Sequence, residues 1–341
     1  MQITKLRISG LRAIRELRLN LETEPETWVP RRRCILLGAN GAGKTTILDA
    51  IAHAIQELGP ETFGASKLGP SDVGIPPRGL GPGGLGATPQ ARIQLYASLA
   101  DEERETVRPF FPSVSVSARG LVAVTVPAPA GVRTSRDGGA APFSEAVRAL
   151  FREIKDPPAV LLQADRGGLE PSKASVNDVM QFDPREGCLA KGRDRFGLLA
   201  VRLALAAVAA RFDPDGAVAR MWKVLRKYFP ELPRPAEHAK DLGLWFNTRN
   251  GSMVPLSKLS DGERAILLIF GELALRNPRF GVVLIDEIEQ HLHPRWQRAI
   301  LDALTALSPF SQFILTTQSP YLAAVAPDDI VKIGDWDTHG E

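Results

Sequence analysis

The sequence predicts an α/β protein built on a parallel sheet, and three features predict that class. The apolar run Cys34–Leu37 leads into a glycine-rich loop and then into a helical pattern that starts at Ile47. A second apolar run, Phe280–Ile285, is continuous, which is typical of a strand covered on both faces. A third strand, Gln312–Thr317, follows a helical stretch that begins near Pro294, where proline suits the first turn.

Length and composition are those of an ordinary globular protein. The chain has 341 residues, enough for one large domain or a domain with an inserted lobe. Its net charge of +3 is too small to indicate nucleic-acid binding unless the charge is clustered. Two distant cysteines, Cys34 and Cys188, argue against a disulfide framework or a zinc site. Because no signal peptide and no membrane-length apolar run is present, we expect a soluble cytoplasmic protein with no membrane partner.

Apolar spacing predicts the remaining elements. A hairpin is expected around Gly10-Leu11, and a second one around Asn250-Gly251. Gly59–Pro89 is rich in glycine and proline, so we expect a mobile loop. Strands are predicted at Ala91–Leu99 and Leu121–Val126, and a short buried strand at Ala159–Leu162. A helix is predicted at Ser144–Ile154, and a mainly helical stretch at Ser175–Tyr228.

These elements divide the chain into four predicted parts. They are an N-terminal lobe (1–58), an inserted β-rich and loop segment (59–174), a helical lobe (175–240) and a C-terminal lobe (241–341). The region between the first and last lobes is too short for a long coiled-coil arm.

The glycine-rich loop Gly38–Thr46 is the strongest functional signal. It fits the phosphate-binding pattern G-x-x-x-x-G-K-[ST] at every fixed position, between a strand and a helix. Its glycines let backbone N–H groups converge on one anion, and the helix N-terminus that follows favours negative charge. Lys44 is expected to reach the β- and γ-phosphates of a nucleoside triphosphate, and the Thr45 hydroxyl to ligate Mg²⁺. The alternative, a glycine turn that binds nothing, fits this context poorly.

Two carboxylates, Asp286 and Glu287, follow the strand Phe280–Ile285, at the sheet edge where such folds bind ligands. Asp286 suits the Mg²⁺ shell, directly or through water, and Glu287 suits a general base that takes a proton from attacking water. An acidic helix start is the structural alternative. The next strand ends at Gln318, whose side chain could touch the γ-phosphate or that water.

The pentapeptide Leu259–Glu263 precedes a helical pattern, Arg264–Leu275. Ser260 and Glu263 have the spacing of a capping box, in which each side chain satisfies a backbone N–H group of the other residue. A capped helix start with Gly262 beside it also makes a compact anion site, so the structural and functional interpretations are compatible.

Together these segments resemble the ABC-type ATPases of the SMC, RecF and OLD group, which include many bacterial proteins described simply as AAA-family ATPases. Met1–Leu21 is similar to the family's first hairpin, Gly38–Thr45 to Walker A, and Leu259–Glu263 to the ABC signature. Leu284–Glu287 is similar to Walker B, Glu289–Pro294 to the E-x-x-L-H-P continuation of the RecF/OLD-like branch, and Thr316–Pro320 to the switch strand. The resemblance implies a P-loop NTPase fold: an ABC-type head with a mixed central sheet, an N-terminal antiparallel β subdomain and an inserted helical lobe.

The resemblance also implies an ATP-hydrolysing head-to-tail homodimer, or a higher even-numbered homo-oligomer, with ATP and Mg²⁺ as ligands. ATP then lies between Walker A and B of one subunit and the signature of the other. The implied catalytic residues are Lys44, Glu287 and Gln318, and the implied metal-binding residues are Thr45, Asp286 and Gln163. The implied nucleotide-binding residues are Asn40, Gly41, Ala42, Gly43, Lys44, Thr45, Thr46, Ser260, Gly262 and Glu263.

Three points depart from the family's pattern. The switch position usually holds histidine, whereas Gln318 can hydrogen-bond but cannot carry charge, so hydrolysis is expected to be slower or to depend more on Glu287. For the Q-loop glutamine we favour Gln163, with a solvated loop residue as the alternative. No OLD-type nuclease domain fits in the chain, so any nucleic-acid cleavage would require another polypeptide.

Basic residues cluster at Arg31–Arg33, at 191–195 and along one face of 220–227. Each cluster is interpreted either as a solvated face or, paired in a dimer, as part of a groove for a DNA backbone. His291 and His293 lack a third ligand at metal-binding spacing, so we interpret them as structural.

The favoured function is an ATPase whose nucleotide-driven dimerisation acts on DNA or controls a partner effector, such as a nuclease, in antiviral defence or DNA repair. The alternative is a slowly hydrolysing, ATP-gated scaffold that sequesters a partner protein. The ATPase subunit of a membrane transporter is a third possibility, and the E-x-x-L-H-P segment and the opening hairpin argue against it.

Overall fold

The computed structural model describes residues 1–59, 91–110, 119–126, 141–164, 183–189, 215–236 and 245–334, apart from residues 12, 13, 26, 28, 186, 187 and 249. Helices and strands are numbered along these residues. The predicted mobile loop beyond Gly59, most of the predicted helical stretch before residue 215 and the basic cluster at 191–195 lie outside the described residues.

A parallel sheet of five strands lies at the centre of the described fold. The strands are β3 (Arg33–Leu37), β6 (Ala159–Leu162), β10 (Val282–Ile285), β11 (Gln312–Thr317) and β12 (Ile330–Lys332). They pair in the order β12–β3–β11–β10–β6, and every pair is parallel. All residues of β6, β10 and β11 are buried, as their continuous apolar runs predict.

An antiparallel sheet lies beside it. Its strands are β1 (Gln2–Leu11), β2 (Ile14–Asn20), β4 (Ala91–Ser98) and β5 (Arg119–Val126), in the order β2–β1–β4–β5. The predicted first hairpin is present, with Gly10 at a φ of 68° next to its turn. This sheet takes strands from both of the first two predicted parts of the chain, and the four-part division stays a prediction.

Seven helices are present in the described residues, and they are α1 (Lys44–Leu58), α2 (Asp101–Val107), α3 (Ala141–Glu153), α4 (Ala217–Tyr228), α5 (Asp261–Arg276), α6 (Pro294–Leu307) and α7 (Pro320–Val325). A small antiparallel sheet contains the second predicted hairpin and is formed by β7 (Arg234–Pro235), β8 (Trp245–Asn247) and β9 (Met253–Pro255). Within the stretch predicted as mainly helical, residues 184, 185, 188 and 189 lie in turns and α4 is helical. None of the described helices combines the length and apolar character that crossing a bilayer requires.

The alternation of side chains along β3 divides the core into two layers. Cys34 and Leu36 pack with α1, α3 and the antiparallel sheet, whereas Ile35 packs with α4, α5 and α6 on the other face. The parallel sheet is therefore covered on both faces, and its C-terminal edge is left to carry the functional loops. The predicted fold class is confirmed, with the parallel and antiparallel strands in separate sheets.

Candidate functional site

The phosphate loop, Gly38–Thr46, joins β3 to α1 at the C-terminal edge of the parallel sheet. Gly41 and Gly43 have φ angles of 79° and 82°, left-handed values that glycine adopts without a steric penalty. Gly38 is required for a different reason, because a Cβ there would lie 2.5 Å from the carbonyl oxygen of Ile333, just after β12. The edge strand β12 therefore packs against the start of the loop.

Lys44 begins α1 and is only 6% exposed. Its ammonium group donates to the carbonyl oxygens of Gly38 at 2.7 Å and Ala39 at 2.9 Å, so it lies within the curve of the loop. Both of these partners are neutral, which leaves the positive charge available to a phosphate group. Of the other predicted loop residues, Asn40, Gly41 and Thr45 are exposed, Gly43 is half-buried, and Ala42 and Thr46 are buried.

Asp286 is the point at which three segments of the site meet. It follows β10 and is 5% exposed. Its Oδ2 atom accepts a hydrogen bond from the Thr45 hydroxyl at 2.8 Å, and its Oδ1 atom accepts one from the Thr316 hydroxyl at 2.5 Å. Because carboxylate and hydroxyl oxygens are the ligands that Mg²⁺ prefers, Thr45 and Asp286 fit a magnesium ion.

Glu287 follows in an unusual backbone conformation. It is half-buried and has a φ of 45°, a left-handed value that costs a non-glycine residue about 1–2 kcal/mol. Its N–H group donates to the Thr316 hydroxyl at 2.8 Å, and the N–H group of Ile288 donates to the Thr316 carbonyl at 3.1 Å. Thr316 therefore fixes the turn after β10, a role that the sequence analysis missed. The only signal was a second threonine before Gln318.

The end of the switch strand is also tied to the E-x-x-L-H-P segment. The N–H group of Gln318 donates to Oε1 of Glu289 at 2.8 Å, while the Gln318 residue itself is exposed. Gln297 of α6 adds a second link. Its Oε1 atom accepts from the Ser319 hydroxyl at 3.0 Å, and its Nε2 atom donates to the Leu292 carbonyl at 3.0 Å. The segment after Walker B and the switch strand thus behave as one bonded unit.

Gln163 follows β6 at the same edge of the sheet. The preceding residue, Leu162, accepts a hydrogen bond from the N–H group of Asp286 at 2.8 Å. This bond places the start of the Gln163 loop next to the carboxylate pair. A metal-binding role for Gln163 stays a prediction.

The predicted capping box at the start of α5 is present. The Ser260 hydroxyl accepts from the N–H group of Glu263 at 3.4 Å, and Oε2 of Glu263 accepts from the N–H group of Ser260 at 2.8 Å. Ser260 is exposed, whereas Gly262 is buried, and a Cβ on Gly262 would lie 2.6 Å from the His291 carbonyl oxygen. Gly262 thus has a structural role within its own subunit, where the signature turn (Leu259–Glu263) packs on the E-x-x-L-H-P segment.

The histidines and cysteines in the described part of the chain show no sign of metal chemistry. Nδ1 of His293 caps α6 by accepting from the N–H group of Arg295 at 3.2 Å, which supports a structural role for His293. Among the described residues, no group of three or more His, Cys, Asp or Glu side chains could hold a metal ion. Cys34 and Cys188 are buried and form no disulfide, and burial raises the pKa of the Cys34 thiol to about 12. A protonated, buried thiol is a poor nucleophile.

Arg31–Arg33 lie at the opposite, N-terminal edge of the parallel sheet. They line a cavity of about 790 Å³ together with Tyr228, Asp302 and Asp329. Arg33 pairs with Asp329 at 2.7 Å and with Asp302 at 3.2 Å, so the charge of Arg33 is neutralised locally. Burial raises the pKa of the Asp329 carboxyl, and the Arg33 guanidinium acts against that shift.

The charge on α4 is more concentrated. Residues 217–234 contain five basic side chains and a single acidic one, Glu231, although the whole chain has a net charge of only +3. On α4 itself, the basic residues Arg220, Lys223, Arg226 and Lys227 are all exposed. The exposed face of α4 is therefore strongly positive.

Solved structures with a similar fold are heads of Smc proteins. The Smc head bound to the C-winged helix domain of ScpA superposes with a TM-score of 0.57 at 17% identity, covering 98% of this chain and 95% of that one. The Smc head with a coiled coil and joint from Pyrococcus yayanosii gives a TM-score of 0.58 at 12% identity, with the same coverage. At such low identity the likeness concerns the fold alone.

Sequence relatives cover shorter stretches. The Retron Vc95 probable ATPase of Vibrio cholerae serotype O1 biovar El Tor is 38% identical over 96 residues, 25% of this chain and 19% of that protein. The Septu protein PtuA of Bacillus mycoides (strain KBAB4) is 42% identical over 72 residues, 19% of this chain and 10% of that protein. The matched parts therefore span well under two thirds of either relative.

A family model covers much more of the chain. It is described as "AAA domain, putative AbiEii toxin, Type IV TA system" and matches residues 34–324. That range contains the phosphate loop, the signature turn, the carboxylate pair and the switch strand. Because the match extends over most of the 341 residues, the protein belongs to this AAA-domain family, and its fold is similar to that of Smc heads.

Proposed function

We propose that this protein binds and hydrolyses ATP with Mg²⁺, and that ATP binding drives two copies together to control a partner effector. The observation that carries the proposal is the position of Asp286. Its buried carboxylate is bonded to Thr45 of the phosphate loop and to Thr316 of the switch strand. Three segments distant in sequence thereby meet at one oxygen-rich point.

The binding step follows from the loop geometry. The N–H groups of Gly41–Thr46 and the start of α1 offer donors to phosphate oxygens, and Lys44 exchanges the Gly38 and Ala39 carbonyls for the β- and γ-phosphates. Thr45 and Asp286 hold Mg²⁺, and Gln163, which follows β6 at the same edge of the sheet, is the third proposed ligand. Bound Mg²⁺ neutralises charge that develops on the phosphate oxygens.

The hydrolytic step belongs to Glu287 and Gln318. Glu287 follows the metal-binding carboxylate directly, so its own carboxylate is well placed to accept a proton from a water molecule at the γ-phosphate. Gln318 lies at the end of the neighbouring strand and can orient that water or the γ-phosphate by hydrogen bonding. Because an amide cannot take up a proton, the whole acid–base task falls to Glu287.

The second half of the site comes from another copy of the chain. Ser260 is exposed at the N-terminus of α5, and Asn40 and Gly41 are exposed on the phosphate loop. In a head-to-tail homodimer, Ser260, Gly262 and Glu263 of one copy would add their helix start to the γ-phosphate held by the other. Higher even-numbered assemblies would repeat this pair.

The shared site gives a direct test. Ser260→Arg places a long cation where the partner's nucleotide should dock, so we expect ATP-induced dimerisation to disappear while ATP binding to the monomer is retained. Size-exclusion chromatography with light scattering, with and without ATP, measures the effect. Ser252→Arg adds the same charge at an exposed site on the β8–β9 hairpin and should dimerise normally. Normal ATP-induced dimerisation of Ser260→Arg would remove the basis for a shared site.

The effector is proposed to act in trans, in a cytoplasmic defence system. Support comes from the relatives named after a retron and after Septu, and from two buried cysteines that form no disulfide, which suits a reducing environment. The alternative is a slowly hydrolysing scaffold that sequesters its partner when ATP is bound. The scaffold would use the same ATP-binding residues. It would differ only in that its biological activity would not require ATP hydrolysis.

DNA is the second candidate partner, and the basic face of α4 favours it. We expect binding of a fluorescent duplex to weaken about 10³-fold or more between 50 and 200 mM salt if six or more phosphates are contacted. Arg226→Glu with Lys227→Glu should reduce the affinity and flatten the salt dependence, as followed by fluorescence anisotropy. Arg18→Glu with Arg108→Glu makes the same charge change at exposed sites elsewhere and serves as the control. No binding at 50 mM salt would eliminate DNA as a partner.

A further inference from the structure

We propose that Thr316 is a positioning residue for ATP hydrolysis, one that holds the metal-binding carboxylate and the backbone of the general base in a single geometry. The proposal rests on the ATPase function proposed above and assigns a role to a residue that the motifs left without one. Thr316 lies next to the end of β11 and is completely buried. It therefore acts through its neighbours rather than by touching the nucleotide.

The Thr316 hydroxyl uses its donor and its acceptor capacity on two different residues. It donates its proton to Oδ1 of Asp286 at 2.5 Å and accepts the N–H group of Glu287 at 2.8 Å. The Thr316 carbonyl accepts the N–H group of Ile288 at 3.1 Å. One residue of β11 is thus bonded to three consecutive residues that follow β10.

These bonds determine the direction of both carboxylates. With Oδ1 held by Thr316, Asp286 presents Oδ2 to Thr45, the other predicted Mg²⁺ ligand. The N–H bond to Thr316 keeps Glu287 in its left-handed conformation, at a φ of 45°, and so sets where its side chain leaves the backbone. The hydroxyl donates to the carboxylate and accepts from the amide at the same time, which a methyl group cannot do.

The order of the strands explains why Thr316 is the residue that positions both Asp286 and Glu287. β10 and β11 are parallel neighbours, and their register pairs Ile285 with Leu315. The next pair along is therefore Asp286 and Thr316, which brings the hydroxyl level with the carboxylate. Thr317 is also completely buried, but its side chain bonds to the N–H group of Ser319 instead.

Thr316→Val tests the proposal because valine keeps the shape and removes the hydroxyl. Loss of an outer-shell partner of a metal ligand typically costs about 10- to 100-fold. We expect kcat to fall by about that factor, the Mg²⁺ concentration for half-maximal rate to rise, and ATP affinity measured in EDTA to stay unchanged. Thr316→Ser keeps the hydroxyl and should restore most of kcat.

Thr305→Val is the matched control, since the Thr305 hydroxyl bonds only within α6, to the Leu301 carbonyl at 3.1 Å. If Thr316→Val does not fold, Thr316→Cys provides the second variant, because a thiol is a weak hydrogen-bond donor of similar size. Its kcat should lie between those of Thr316→Ser and Thr316→Val. If the role of Thr316 were purely structural, Thr316→Val would lower both the melting temperature and the ATP affinity measured in EDTA, and the loss of rate would be the same at every Mg²⁺ concentration.

The outcomes separate this inference from the proposed function. Wild-type kcat and Mg²⁺ dependence in Thr316→Val, with active wild type, would overturn the role of Thr316 alone. A wild-type protein that binds ATP without hydrolysing it would overturn the ATPase proposal. In that case the Mg²⁺ dependence of ATP affinity still tests Thr316, and an identical dependence in wild type and Thr316→Val would overturn the inference.

Discussion

Lys44→Ala is expected to lower the affinity for ATP by about 100-fold or more. The ammonium group is the cation that the phosphate loop encloses, held by the Gly38 and Ala39 carbonyls at 2.7 and 2.9 Å. Charge-assisted hydrogen bonds of this kind contribute about 1.5–3 kcal/mol each, and Lys44 is expected to contact two phosphate groups. Alanine loses both contacts and leaves the backbone loop unchanged. Titration calorimetry with ATP and Mg²⁺ measures the effect.

The control for this variant is Lys223→Ala, which removes the same charge from an exposed position on α4. Its ATP affinity should equal that of the wild type. The melting temperature of Lys44→Ala should stay close to that of the wild type, because both partners that lose the ammonium group are neutral carbonyls. Undiminished ATP affinity in Lys44→Ala would refute the assignment of Gly38–Thr46 as the phosphate site.

The parts of the site that are continuous in sequence were predictable. A strand, a glycine-rich loop and a helix start follow one another within about fifteen residues, so the loop and its Lys44 could be identified without any knowledge of the sheet. The carboxylate pair was predictable for the same reason, because Asp286 and Glu287 directly follow an unbroken apolar strand. The capping box of Ser260 and Glu263 is equally local.

What the sequence did not reveal depends on the order of the strands. The bond from Thr316 to Asp286 exists because β11 lies between β3 and β10, an order that no local pattern encodes. The same holds for the approach of Ile333 to Gly38 and of His291 to Gly262, each between segments far apart in the chain. In all three cases the residue type looks ordinary until its neighbour is known.

Two of the elements that the sequence analysis did not predict, α2 and β12, bury little. In α2 only Glu103 and Val107 are buried, so the helix has no apolar period to detect. Glu103 is fixed instead by the chain's own amino group, which forms an ion pair with it in the core. Strand β12 has three residues, half-buried or exposed, and among the described strands it pairs only with β3. Short edge elements of this kind are defined by their tertiary partner.

Glu287→Gln is expected to reduce ATP hydrolysis by about 10²- to 10⁴-fold while ATP binding is retained. The amide has nearly the shape of the carboxylate but cannot take the proton of the attacking water. The turn after β10 should persist, since the Glu287 N–H bond to Thr316 involves only the backbone of residue 287. Phosphate release under single-turnover conditions measures the loss, and calorimetry checks binding.

Glu287→Gln also separates the two candidate modes of action. If the head dimer is held by ATP and released by hydrolysis, this variant should accumulate as the ATP-bound dimer, which light scattering detects. Glu105→Gln, an exposed change on α2, should behave like the wild type in both assays. Unchanged hydrolysis in Glu287→Gln would mean that another residue serves as the base. A variant that has lost turnover but keeps its biological activity would favour the scaffold, because sequestration requires only that the closed dimer forms and persists.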